Sequence, residues 1–341
     1  MSSWHPLRTT NRAGLVGLIA IVASFVAQAQ VVQTTTTAVE TKAKPKYRGS
    51  ALTYGHQATA YTFDRGAEPH YNPTWSHRLG IAPEWHFNDL LFVRARLYLA
   101  QEFTPSESTT RRNEVEFSDL ALEGGLTGWT EKHSKIHVGA DLRIAFPTSK
   151  TSRAATRLLA IGPGLSVSRA FPFGFTVAYG GRYSYRFHRY TTAQNESPSI
   201  ACGNPLAAEC AEFITTGKRN AHSDLTHGPS IAFNPIEKLS INATFLLTHL
   251  WLYPLSAAPA ELGPIAAAVD TPVRSYTTFD LSVTWQLFRP IALTVGALTF
   301  SPQINTSGTR YFPLFNRNTT LYLDASFDIE AAVSGLFGES T

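Results

Sequence analysis

Methionine and long apolar runs are scarce in this chain. Its 341 residues contain a single Met, the first residue, and the mean hydropathy is −0.09. After the N-terminal region we find no apolar run of the roughly 20 residues that a membrane-spanning helix needs. Stretches of Leu, Glu and Lys are also few, whereas Phe, Trp and Tyr make up 12% of the residues. This balance favours β-strands over helices.

Cysteine is rare as well, and the net charge is small. Cys202 and Cys210 lie close together in a polar stretch that lacks the paired ligands of a zinc site. An oxidising compartment would permit a disulfide between them, and two free thiols are the alternative. The formal charge is +4 and no basic stripe is present, which argues against a nucleic-acid partner. Nothing in the sequence indicates a cofactor or a metal.

The N-terminus has the pattern of a cleaved export signal. Arg8 and Arg12 precede an apolar segment at 13–27, and Ala27-Gln28-Ala29 fits a cleavage site before Gln30. We therefore predict a signal peptide at 1–29; a membrane anchor is the weaker alternative because the apolar run is short. Residues 30–47, rich in Thr and then basic, are predicted to form a flexible tether.

Strict alternation of apolar and polar residues defines the segment 135–147. Val138, Leu142 and Ile144 occupy one face of the predicted strand, and Asp141 and Arg143 occupy the other. The apolar face extends over about 11 residues, the length that a tilted strand needs to cross a bilayer. Strands of soluble proteins are usually shorter, about 5–6 residues.

Similar alternation recurs along the chain. We predict about twelve strands, at 48–63, 79–87, 91–103, 114–127, 135–147, 157–169, 175–190, 224–233, 239–253, 276–288, 291–300 and 320–333. The fourth strand changes phase, and a bulge near Ser118 would place its leucines on one face. The barrel therefore spans 48–333, followed by a short tail at 334–341.

The connections and the aromatic residues identify the fold class. The connections alternate between long and short, as they do between the extracellular loops and periplasmic turns of outer-membrane barrels. Aromatic residues cluster where strands end, in two interfacial girdles. One girdle comprises Trp85, Phe87, Trp129, Phe171, Trp285 and Phe288, and the other Trp75, Phe103, Phe146, Trp251, Tyr253 and Tyr276. We predict an all-β, antiparallel transmembrane β-barrel of about 12 strands with short periplasmic turns and long extracellular loops.

Two segments resemble those of a known family. The chain resembles Gram-negative outer-membrane porin-like proteins in general. More narrowly, 117–126 (FSDLALEGGL) followed by 142–150 (LRIAFPTSK) is similar to paired segments of the MetA-pathway phenol-degradation family of outer-membrane proteins. In that family an aspartate opens one strand and a PTG turn closes the next; here Ser149 replaces the glycine. The resemblance implies a transporter of small, often aromatic, compounds with no catalytic residues.

The polar faces of the predicted strands carry charged residues that would line the interior. The candidate pore-lining residues are Glu84, Arg94, Arg96, Asp119, Glu123, His137, Asp141, Arg143, Arg182 and Arg186. In an open channel these charges would create a transverse field that orients a small-molecule solute. In a plugged barrel they would pair across the lumen and fill it. The later strands offer mainly Ser, Thr and Asn.

Two other classes of function remain open. A structural or adhesive barrel would use the long loops 191–221 and 254–274. An outer-membrane lipid-modifying hydrolase would need Ser and His on the outer wall; His227 and His249 could face outward, but neither has a serine and an orienting partner in an evident register. We therefore expect a non-enzymatic channel in the bacterial outer membrane. That location implies contact with outer-membrane lipid and lipopolysaccharide, and insertion by the barrel-assembly machinery.

Overall fold

The computed structural model describes residues 45–62, 73–104, 113–196, 213–254, 272–304 and 308–336. The predicted signal peptide, most of the predicted tether and the two cysteines lie outside these ranges. The described strands and helices are β1 Ala51–Thr59, β2 Trp75–Ala82, β3 Glu84–His86, β4 Leu91–Glu102, β5 Val115–Phe117, β6 Leu120–Thr130, β7 Ile136–Phe146, α1 Lys150–Ala154, β8 Arg157–Ala170, β9 Phe175–His188, β10 Thr192–Glu196, β11 Phe213–Arg219, β12 Ala221–Ile236, β13 Leu239–Leu252, β14 Val273–Phe288, β15 Ile291–Pro302, β16 Thr319–Asp328 and α2 Ile329–Leu336.

The strands form a closed antiparallel barrel. β2 and β3 are two parts of one barrel strand that pairs with β4, and β5 and β6 are two parts of another. β10 and β11 form a separate hairpin, so the barrel has twelve strands. The first and last strands close it through a continuous register from Ala51↔Asp328 to Thr59↔Thr320. The prediction of a barrel of about twelve strands is confirmed.

Short and long connections lie at opposite ends of the barrel. The short ones are 87–90, 131–135, 171–174, 237–238 and 289–290, and we call this the turn end. The long ones are 60–74, 103–114, 147–156, 189–220, 253–272 and 303–318, and we call this the loop end. The first residue of β1 and the last residue of β16 both lie at the turn end, as expected for an even number of strands.

The exterior and the interior of the wall follow the predicted alternation. Leu142 and Phe146 on β7 are exposed to the outside, whereas Arg143 lies on the opposite face. The phase change in the fourth barrel strand is also present, because β5 ends at Phe117 and β6 begins at Leu120. This interruption leaves both Phe117 and Leu122 exposed on the outer face.

Three local expectations were wrong. The last strand ends at Asp328 rather than continuing to 333, and the following residues form α2. The connection after β7 contains the short helix α1. Tyr276, expected in an outer girdle, packs against Leu250 and Leu252, which lie on the buried face of β13. No helix in the described ranges is long and apolar enough to cross a membrane.

The predicted disulfide between Cys202 and Cys210 stays a prediction. If it forms, the two thiols of the mature protein should resist alkylation until a reductant is added. Mass spectrometry of the alkylated protein measures this directly, and two alkylated thiols without reductant would contradict the disulfide. The closed loop is short, so the bond should contribute no more than about 3 kcal/mol.

Candidate functional site

One carboxylate on β6 forms ion pairs with three arginines on the two neighbouring strands. The strand register places Arg94 of β4 and Arg143 of β7 on either side of Glu123. Glu123 Oε2 lies 3.7 Å from Arg94 Nη1 and 3.3 Å from Arg96 Nη2, and Arg143 binds Oε1. Three positive charges therefore offset the desolvation of one deeply buried carboxylate.

At three ion pairs of this wall the arginine side chain is more exposed than its acidic partner, whereas for Arg182 and Asp141 the order is reversed, 11% against 15%. The side chain of Arg94 is 19% exposed against 6% for its partner Glu84, and that of Arg96 is 15% exposed against 1% for Glu123. Farther along the wall, Arg186 binds Asp224 at 2.6 Å, with exposures of 18% and 8%. At these three sites the guanidinium groups form the accessible layer and the carboxylates lie behind them.

Glycine allows an ion pair to reach across an intervening strand. Arg182 of β9 binds Asp141 of β7 at 2.5 Å, and β8 runs between them with Gly164 in register with both. A Cβ atom at Gly164 would lie 2.6 Å from Asp141 Oδ2 and 2.8 Å from Arg182 Nη2. The pair therefore lies flat over the backbone of β8. Arg182 Nη1 also donates to the carbonyl oxygen of Gly162 at 3.1 Å.

The same arrangement occurs at β1, on the other side of the barrel. Arg78 of β2 binds Asp324 of β16 at 2.5 Å across Gly55 of β1. A side chain at Gly55 would collide with the Asp324 carboxylate. The Arg78 guanidinium also lies 5.6 Å from the centre of the Tyr322 ring, which it approaches from the face.

A tyrosine makes a third contact of this kind. Tyr322 of β16 donates to Asp280 of β14 at 2.8 Å, and its ring covers Gly296 of the intervening strand β15. In all these contacts between barrel strands, the partners lie on adjacent or next-adjacent strands. The side chains therefore lie along the wall rather than across the lumen.

The wall formed by β13 to β15 is mainly uncharged. Near the turn end, β13 turns Ser240, Asn242 and Thr244 inward, as predicted for the later strands. Towards the loop end, Leu250 and Leu252 replace the polar residues on the same face, which the sequence analysis did not anticipate. A charged wall, on β3 to β9, and a wall on β13 to β15 that is hydroxyl-rich near the turn end therefore enclose the interior.

Two of the candidate pore-lining residues lie away from the charged wall. Asp119 lies at the loop end between β5 and β6, where it accepts hydrogen bonds from Ser149 N and Ser152 Oγ at the start of α1. It also binds Arg157 at 2.7 Å. His137 lies near the turn end, with Nδ1 3.0 Å from Thr130 Oγ1. The other eight, Glu84, Arg94, Arg96, Glu123, Asp141, Arg143, Arg182 and Arg186, belong to the charged wall.

The two segments that carry the family resemblance contact each other. Thr148 Oγ1 donates to the carbonyl oxygen of Ser118 at 2.7 Å and accepts from Leu120 N at 2.8 Å. Ser149, which replaces the glycine of the family pattern, binds Asp119 through its backbone amide. These contacts attach α1 to the rim of the barrel.

Sequence reasoning missed Arg78 and Arg157. The second strand begins at Trp75 instead of 79, so Arg78 belongs to the barrel wall. A signal was present, because Arg78, Gly80 and Ala82 alternate with Leu79 and Ile81. Arg157 begins β8, and its bond to Asp119 depends on the position of α1, which the sequence pattern did not reveal.

The outer wall brings a histidine and a serine together. His249 Nδ1 lies 2.9 Å from Oγ of Ser275, which is on the neighbouring strand. A hydrolytic triad needs a third group that hydrogen-bonds the other ring nitrogen. Within the described ranges, the His249 ring instead packs near the rings of His227 and Trp251, at 5.8 and 6.4 Å between centroids. The same ranges contain no group of three or more His, Cys, Asp or Glu side chains arranged to hold a metal.

The glycine contacts generate a stability prediction. Replacing Gly164 by Ala should separate Arg182 from Asp141 and lower the free energy of unfolding by about 1–3 kcal/mol, the usual cost of overpacking. Gly180→Ala on the adjacent strand is the matched control, because its Cβ would have its nearest neighbour, the carbonyl oxygen of Leu165, at 3.7 Å. Urea unfolding of both variants in lipid vesicles gives the comparison. Equal stabilities would show that the pair does not depend on the missing side chain.

Comparisons with known proteins give structural similarity only. No protein-family model and no curated protein matches the chain. Among solved structures, the KdgM porin in complex with disordered oligogalacturonate has a TM-score of 0.42 and 8% identity, over 82% of this chain and 99% of that chain. OprD from Pseudomonas aeruginosa has a TM-score of 0.35 and 9% identity, over 81% and 65%. LpxR from Salmonella typhimurium has a TM-score of 0.33 and 11% identity, over 82% and 100%. None of these comparisons confirms the resemblance to the MetA-pathway family.

Proposed function

We propose that this protein is a channel of the bacterial outer membrane through which small solutes, preferentially anionic ones, diffuse passively. The observation that carries this proposal is the arrangement of the charged wall. At three of its ion pairs, Arg94–Glu84, Arg96–Glu123 and Arg186–Asp224, the arginine is more exposed than the carboxylate that it binds, so a solute in the lumen would contact positive charge at these sites.

The outer wall supports membrane insertion. From β6 to β8 most of its exposed side chains are apolar and include Leu122, Leu126, Leu142, Leu165 and Val167. Burying such a band in lipid removes a large apolar surface from water. At the turn end, all six aromatic residues of the predicted girdle are exposed, and aromatic side chains favour the membrane–water interface.

The inner wall favours a channel over a plugged barrel. Ion pairs that fill a lumen would join strands on opposite sides of the barrel. Here Arg182 and Asp141, like Arg78 and Asp324, are separated by a single strand and lie over its glycine. A structural or adhesive barrel is the alternative, and it predicts no conductance.

The assignment of faces is tested by inserting charge at two positions of β7. Leu142 is exposed on the outer wall, whereas Gly139 occupies the inner face. Leu142→Arg should lower the free energy of unfolding in lipid vesicles by about 2–4 kcal/mol, since it places a charge near the bilayer midplane. Gly139→Arg should cost less, because its charge enters the polar interior. Equal losses would mean that the two faces are exchanged.

The proposed anion preference depends on Arg94 and Arg96. We expect the double variant Arg94→Ala/Arg96→Ala to shift the reversal potential in a planar bilayer under a KCl gradient towards cation selectivity. Glu123 keeps Arg143 as a partner and Glu84 keeps His86, so the barrel should still fold, as judged by a heat-dependent gel shift. Wild-type protein that folds but shows no conductance would refute the channel.

Arg78→Ala is the matched control for that experiment. The Arg78 side chain is only 2% exposed, and it pairs with Asp324. Removing one member of a buried ion pair costs about 3–5 kcal/mol, so this variant should lose stability. Its ion selectivity should change little because the guanidinium does not face the open lumen. A selectivity shift equal to that of the double variant would contradict the role of the exposed layer.

A further inference from the structure

Among the described residues, two pairs of imidazoles lie on the outer wall. His56 and His77 face each other in the register of β1 and β2, and their ring centroids are 6.0 Å apart. His227 and His249 lie on β12 and β13, with centroids 5.8 Å apart. All four have the strand phase of exposed outer-wall residues such as Tyr54, Leu79 and Ile231. Histidine in a lipid-facing wall is costly unless its polar atoms find partners.

The first pair, His56 and His77, is largely satisfied by protein groups. Tyr54 Oη lies 3.2 Å from His56 Nε2 and 3.2 Å from His77 Nδ1. His77 Nε2 lies 2.9 Å from Gln101 Oε1. Three of the four ring nitrogens therefore have a protein partner, and the Phe103 ring packs 5.0 Å from His77.

The second pair, His227 and His249, is satisfied at only one nitrogen of each ring. Tyr179 Oη lies 2.7 Å from His227 Nδ1, and Ser275 Oγ lies 2.9 Å from His249 Nδ1. Neither Nε2 atom has a hydrogen-bond partner among the described residues. The two rings are nearly parallel, with an interplanar angle of 27°.

The two hydroxyls determine what the second pair offers to a ligand. A hydroxyl that donates to Nδ1 places the proton of a neutral imidazole on Nε2. When Tyr179 and Ser275 donate to Nδ1, or when the rings are protonated, His227 and His249 present adjacent N–H donors at Nε2, and protonation also adds positive charge. Two such donors suit an acceptor with several oxygen atoms and a negative charge.

The position of the pair indicates where the acceptor comes from. The His249 ring lies 6.4 Å from that of Trp251, close to the loop end of β13. Tryptophan at a strand end marks the membrane–water interface, where lipid headgroups lie. We propose that His227 and His249 bind the phosphate group of a lipid in the leaflet at the loop end. This inference requires a membrane-inserted barrel and is independent of the conductance of its lumen.

Native mass spectrometry of the intact protein tests the proposal. Detergent micelles are doped with phosphatidylglycerol or with a neutral galactosyl diacylglycerol of the same acyl chains. Wild type should retain several times more phosphatidylglycerol than galactolipid, and His227→Phe/His249→Phe should lose this preference. His56→Phe/His77→Phe is the matched control and should retain it, because the first pair is satisfied by Tyr54 and Gln101. The single variants His227→Phe and His249→Phe replace the double variant if it fails the heat-dependent gel shift.

Three other outcomes of these experiments would overturn the proposal. Equal lipid preference in the two double variants would show that the second pair does not bind the headgroup. Displacement of the lipid by inorganic phosphate at the same concentration would show a site for free phosphate instead. Hydrolysis of the lipid, seen as a released fatty acid and abolished by Ser275→Ala, would assign His249 and Ser275 to an enzyme.

Discussion

The pairing of β1 with β16 is the constraint on which the rest of this structure depends. Without it, a sheet of twelve strands would have two edges with unpaired N–H and C=O groups, which is not viable in a membrane. Closure fixes the tilt of the strands and divides every strand into an inner and an outer face. It also limits the interior, so each long charged side chain on the inner face must find space along the wall.

Glycine provides that space where the charges need it. Arg182 and Asp141 meet over Gly164, and Arg78 and Asp324 meet over Gly55. Glycine weakens a strand because it offers no side chain for packing and loses more backbone freedom on folding. The ion pair above it offsets part of this cost by joining the two flanking strands. Long charged side chains can therefore lie along the inner face of the wall.

Alternation was sufficient to predict which face each residue of β7 occupies, because the period of two is a local property of a strand. It also predicted the interruption near Ser118, since the residues before and after it alternate with opposite phases. The ion-pair partners could not be predicted from the sequence. Arg78 and Asp324 are far apart in sequence and meet only because closure places β1 between their strands. Register across the barrel depends on all of the intervening strands together.

The end of β16 shows why alternation alone overextends a strand. The residues after Asp328 continue an apolar pattern, but β1 begins at Ala51, the partner of Asp328. Beyond this point one further bond, from Ile329 N to Ser50 O at 3.2 Å, joins the chain to the residue before β1, and Asp328 Oδ1 accepts from Ala331 N at the start of α2. A side-chain cap of this kind favours a helix where a strand has no partner.

The inner and outer walls follow one rule for polar groups. A charge or an imidazole is retained where an adjacent strand, or the next one, places a partner within reach. Glu123 has three such partners on the inside, and His77 has two on the outside. His227 and His249 satisfy the rule at only one nitrogen each. Since most exposed residues on the outer wall of β6 to β8 are apolar, these two rings mark a place where a polar partner from the membrane is needed.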